Sequence, residues 1–146
     1  MVHRPFLISN HRIFGYTGAF VLIYVGVDII EIDRIAKVRD KFPVRFLQKI
    51  FTHGEQQYCR GRAPHMAGRF AAKEAVMKAL GTGTRGVGWR EIEVVRRPGT
   101  APEIVLHGRA ATRARTIGTR RVAISISHSR NFAVASVVIE SSRDSK

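Results

Sequence analysis

PHMAGRFAAKEAVMKALGTG, residues 64–83, is the stretch on which the fold turns. Pro64 suits the first turn of a helix and Gly81 its C-terminal cap, so the spacing predicts one long helix from about Pro64 to Leu80. Ala72, Ala75 and Ala79 form a narrow stripe of small side chains that permits close packing. On another part of the surface Glu74 and Lys78 lie four residues apart and are neighbours. Upstream, FVLIYVGVDII (residues 20–30) is rich in β-branched residues and reads as a buried strand that ends near Asp28. Ile29, Ile32, Ile35 and Ala36 follow at helical spacing, and Asp28 with Glu31 three residues on resembles a capping box for that helix. Pro43 breaks it, and Val44–Phe51 makes a further turn or two. His53–Arg62 is polar, a loop or short helix.

Downstream of the glycine-rich stretch Gly81–Gly88, residues 91–96 and 103–107 read as strands joined through Pro98-Gly99. Residues 108–117 read as a basic helix ending at Gly118. Val122–His128 and Phe132–Ile139 read as a hairpin around Arg130-Asn131. No regular βαβ alternation is present, so the fold class is α+β: a mainly antiparallel sheet with one long central helix. A chain of 146 residues favours one domain, here 21–140. Residues 1–20 lack a sustained period and read as an N-terminal extension or tail, and 141–146 as a frayed polar tail.

Lys and Arg number 25 against 11 Asp and Glu, a net charge of +14, while 45% of residues are hydrophobic. Such a chain folds rather than remaining a disordered basic tail, and its field attracts polyanions: nucleic acid, anionic membrane, acidic protein or phosphorylated ligand. The longest weakly polar run, Ile13–Val27, is interrupted by glycines and falls short of a spanning helix. No signal-peptidase site follows it. One cysteine, Cys59, excludes an internal disulfide and a multi-cysteine zinc cluster and fits the cytoplasm.

GTGTRG (Gly81–Gly86) formally matches a dinucleotide fingerprint, but it follows a helix instead of a strand, so it reads as a helix cap and a turn. No P-loop sequence occurs. Ser125, Ser127 and Ser129 lack a nucleophile elbow, and His128 continues the apolar parity of Val122, Ile124 and Ile126, as a satisfied histidine at the end of a core strand. Asp28 is readable as a helix cap and Glu74 as half of a surface pair with Lys78. Together they have a second reading, in which two carboxylates converge on a hard cation while Lys78 faces a phosphate. The competing class is a basic nucleic-acid-binding module, for which no stacking motif or basic recognition helix is evident.

Three stretches read together resolve this choice. VGVDIIEIDRI (Val25–Ile35), GRFAAKEAVMKALGTG (Gly68–Gly83) and ISISHSRNFAVASVVIE (Ile124–Glu140) closely resemble the holo-acyl-carrier-protein synthase family, the 4′-phosphopantetheinyl transferases. The resemblance implies Mg²⁺-dependent transfer of phosphopantetheine from coenzyme A to a serine of an acyl carrier protein, with release of adenosine 3′,5′-bisphosphate. It implies Asp28 and Glu74 as metal ligands and, with Lys78, as the catalytic residues. Arg69, Lys78, Gly81, Gly83 and His128 become contacts to coenzyme A, and Arg34, with Lys37 and Arg45 nearby, a docking surface for the acidic carrier. A homotrimer with interfacial sites is implied too, with no stable nucleic-acid or membrane partner. Residues 1–20 exceed the family's usual start, so Val21 is a second possible first residue.

Overall fold

The structure, a computed structural model, describes residues 12–14 and 20–143. In chain order these form β1 (Arg12–Phe14), β2 (Phe20–Glu31), α1 (Ile32–Lys41), α2 (Pro43–Ile50), α3 (His53–Cys59) and α4 (Ala63–Leu80). There follow a single turn α5 (Gly83–Gly86), a 3₁₀ turn at Trp89–Glu91, β3 (Ile92–Val95), β4 (Glu103–Leu106), α6 (Gly108–Thr116), β5 (Thr119–His128) and β6 (Phe132–Arg143). The main sheet is antiparallel with strand order β1-β2-β6-β5, and β3 and β4 form a separate hairpin.

The long helix lies on the inner face of this sheet, and two glycines set how closely. A Cβ on Gly26 of β2 would overlap the carbonyl of Ala75, and one on Gly68 would come within 2.9 Å of the Ile126 side chain on β5. The small-residue stripe does what its composition suggests: Ala72, Ala75 and Ala79 are all buried. Because Gly68 meets β5 and Ala75 meets β2, α4 crosses the sheet from the β5 side to the β2 side. Across from it, Ala133, Ala135, Val137 and Ile139 of β6 are fully buried.

Strand β2 departs from the expected buried strand. Gly26, Asp28 and Ile30 face α4, while Val25, Val27 and Ile29 face outward, Ile29 with 62% of its surface exposed. The outward residues stand beside Val138, Ser136 and Val134 of β6, so an apolar sheet face is uncovered. Asp28 caps no helix. It pairs in register with Ala135, the strand continues three residues further, and α1 starts where the Ile32 amide donates to the Asn131 carbonyl. Ile29 accordingly lies on the strand instead of the helix.

Ser141–Arg143, expected in the frayed tail, extend β6, and Ser141 is buried. Residues 144–146 lie outside the described residues, as do 1–11 and 15–19 of the proposed extension. Its residues Arg12–Phe14 pair with Phe20–Leu22.

Candidate active site

The central position of β2 and the β2-side half of α4 bring together Asp28, Glu74 and Lys78. On α4 the residues from Met66 to Leu80 are buried except Phe70, Glu74 and Lys78, which recur at four-residue intervals as one stripe. Lys78 Nζ donates to Asp28 Oδ1 at 2.8 Å and to the Val27 carbonyl at 2.9 Å. Two of its three protons are thus committed, leaving one. Glu74 sits half-buried against Asp28. Its carboxyl is pushed up to about 7, first by burial and then by the Asp28 charge and hydrogen bond, with Lys78 and Arg34 pulling the other way. Two carboxylates this close are poorly matched to each other and well matched to a cation.

Gly81 ends α4 in the left-handed conformation (φ 70°), and Gly83 repeats it one turn on (φ 59°), so the Gly81–Gly83 turn directly follows the Lys78 side of the site. Arg69 and His128 are placed elsewhere. Arg69 lies about 140° around α4 from Glu74, is buried, and stacks its guanidinium 3.7 Å from the centre of the Tyr58 ring. His128 ends β5, two strands away from β2, and is exposed because the strand's last residue lies at the rim of the core. The expected satisfied core histidine is therefore not found, although Val122, Ile124 and Ile126 do pack against the core on the same face. Burial and the charges of Arg62, Arg69 and His128 push the nearby His65 downward. Arg69 and His128 belong to this cationic group on the β5 side.

Arg34 is exposed on α1 and close enough to act on Glu74, so the docking surface adjoins the site. Lys37 is exposed and pairs with Asp33 at 2.6 Å. Both line a groove of about 730 Å³ with Arg130, whereas Arg45 is exposed on α2 and does not line it. Cys59 is buried, its thiol pushed up to about 11 by desolvation, an ordinary core residue.

A pair that composition and motifs did not single out holds this arrangement from beneath. Lys73 Nζ meets Glu55 Oε2 at 2.8 Å with both side chains fully buried, and donates also to the carbonyls of Trp89 and Ile92. Glu55 accepts from the amides of Thr52 and Val94, closing a capping box on α3. The signal was Thr52-x-x-Glu55 itself, followed by a lysine embedded among alanines. Lys73→Met should destabilise the protein by about 3–5 kcal/mol in denaturant unfolding, because Glu55 is left charged and unpaired in the core. Pairing it with Glu55→Gln should recover part of that loss.

A hard-donor pair beside a lysine, set on an α+β scaffold with an antiparallel sheet, defines the class: a protein built to handle phosphate esters. Residues 24–135 match the model of the 4′-phosphopantetheinyl transferase superfamily. The chain is 48% identical over 124 residues to a holo-[acyl-carrier-protein] synthase of Koribacter versatilis, covering 82% of this chain and 99% of that one. It is 45% identical over 126 residues to the holo-[acyl-carrier-protein] synthase of Gloeobacter violaceus, covering 84% and 96%. Among solved structures, Helicobacter pylori holo-[acyl-carrier-protein] synthase in complex with coenzyme A aligns with a TM-score of 0.72 at 33% identity, covering 79% of this chain and 98% of that chain. The chain belongs to the 4′-phosphopantetheinyl transferase superfamily.

Proposed function

We propose that this chain transfers 4′-phosphopantetheine from coenzyme A to a serine of an apo acyl carrier protein, releasing adenosine 3′,5′-bisphosphate. The observation that carries the reading is the convergence of Asp28, Glu74 and Lys78 within a superfamily whose matched relatives are named holo-[acyl-carrier-protein] synthases. In the reaction the serine oxygen bonds to the β-phosphorus and the bond to the adenosine phosphate breaks. The serine proton leaves to a Glu74 oxygen or to water. Lys78 offers its uncommitted proton to a phosphate oxygen, and the Gly81–Gly83 turn lets backbone approach the pyrophosphate.

Asp28 and Glu74 fit Mg²⁺. Both are oxygen donors, and Glu74 is strained by its neighbour in a way that a divalent cation relieves. Among the described residues no three His, Cys, Asp or Glu converge, which suits a cation that completes its shell with phosphate and water. When bound there, Mg²⁺ would neutralise charge on the transferring phosphate oxygens.

The working domain is 21–140 together with the end of β6, and the working form is a homotrimer. Two observations support the trimer. The outer face of β2 and β6 is apolar and uncovered, and Arg69 and His128 lie on the β5 side of the sheet, away from the carboxylates on the β2 side. Both sets reach one coenzyme A when they come from different copies. No helix among the described residues is long and apolar enough to cross a membrane, and we place the protein in the cytoplasm.

The carrier docks through Arg34, with Lys37 and Arg45 nearby. Arg34→Glu should raise the KM for carrier protein about tenfold and leave the KM for coenzyme A unchanged. Added salt should mimic it, because exposed charges are screened beyond about 8 Å at physiological ionic strength. Equal losses for both substrates would place Arg34 in the catalytic cleft instead. For the reaction as a whole, adenosine 3′,5′-bisphosphate should appear in step with holo carrier. Consumption of coenzyme A without it would refute the transfer.

A further inference from the structure

A second cleft, of about 320 Å³, opens between the α4–α5 turn and α6, within the size range of ligand sites. Its walls include Thr82, Val87, Arg109, Thr112, Arg113 and Thr116. Thr82 lies four residues after Lys78 and continues the stripe Phe70–Glu74–Lys78, so the cleft begins one helical step beyond the phosphate side of the site.

The hydrogen-bonding character of the walls decides what suits it. Thr112 donates its hydroxyl proton to the Gly108 carbonyl and Thr116 to the Thr112 carbonyl, while the Thr82 hydroxyl faces the Met77 carbonyl at 3.5 Å. With their protons committed, these hydroxyls offer lone pairs; Arg115 takes one at Thr112. The arginines offer donors, but their charge is largely answered: Arg113 Nε donates to the Leu80 carbonyl at the negative end of α4, and Arg109 pairs with Glu91 at 3.2 Å. A phosphate, an acceptor throughout, would meet the threonine lone pairs unfavourably. A neutral chain carrying amides has both N–H groups for the threonines and carbonyls for the arginines.

We propose that this cleft seats the amide-bearing pantetheine arm of coenzyme A and positions it while its phosphate is attacked at the Lys78 side. The assignment rests on the transferase reading, and the experiment separates the two. Binding of coenzyme A and of adenosine 3′,5′-bisphosphate, which lacks the arm, is measured by calorimetry on the wild-type chain, on Thr112→Val/Thr116→Val, and on Arg109→Gln at the exposed rim. Both variants should bind coenzyme A about tenfold more weakly, the size of one or two lost hydrogen bonds, with unchanged affinity for adenosine 3′,5′-bisphosphate. Unchanged coenzyme A affinity in both variants, or equal loss for both ligands, overturns the subsite. A wild-type chain that binds coenzyme A yet modifies no carrier would overturn the transferase reading while leaving the subsite standing or falling on the variants.

Discussion

Glu74→Gln should abolish transfer and at the same time stabilise the metal-free protein. The glutamine keeps the shape and removes a charge that the site requires for its cation, so turnover should fall by about a thousandfold. The stability effect has the opposite sign. The folded protein holds the Glu74 carboxyl at about 7 against an ordinary 4.5. Between those values the folded chain keeps a proton that the unfolded chain has lost, so stability declines as pH rises through that window and is level above it. Glutamine does not ionise and escapes the penalty. Because Glu74 is only half-buried, solvent screening reduces the gain to about 1–2 kcal/mol at pH 8 in chelator. Urea unfolding of the two proteins at pH 5 and pH 8 checks this: the curves should coincide more closely at pH 5. A variant less stable than wild type at pH 8 would mean that Glu74 is a structural partner of Asp28 and Lys78 and not a charge held in readiness.

Ile29→Glu should convert the assembled enzyme to a monomer and take activity below about a hundredth. Ile29 is the most exposed of the three outward aliphatics on β2, and its side chain stands on the apolar face shared with β6. Burying an unpaired carboxylate between copies costs more than such a contact returns. In an isolated chain the position faces water, so the folded monomer should survive with normal unfolding. Sedimentation and transfer are measured together. A monomeric variant with normal turnover would show that one copy contains a complete site, and an unassembled wild-type chain would remove the trimer altogether.

How far these features were legible in the sequence depends on how local their causes are. The long helix could be read because Pro64 and Gly81 bracket it and its small residues recur on one side. The pairing of Glu74 with Lys78 follows from spacing alone. Asp28 was ambiguous, since an acid followed by Glu31 signals a helix start, whereas its register opposite Ala135 keeps it extended on the strand. Val25, Val27 and Ile29 read as buried because an apolar run looks alike whether its second face meets the same chain or another copy. Lys73 and Glu55 are eighteen positions apart, and nothing local to either announces a partner at that distance, although Thr52-x-x-Glu55 placed one end. His128 kept the parity of a core residue and lost the burial, since parity does not say where the core stops.

The account stands most directly on the mass of an apo acyl carrier protein incubated with this chain, coenzyme A and Mg²⁺, run beside the same mixture in chelator. The carrier should gain one phosphopantetheine at a single serine with the metal present and none in chelator. An unchanged mass with Mg²⁺, or the same gain in its absence, would contradict the roles given to Asp28 and Glu74.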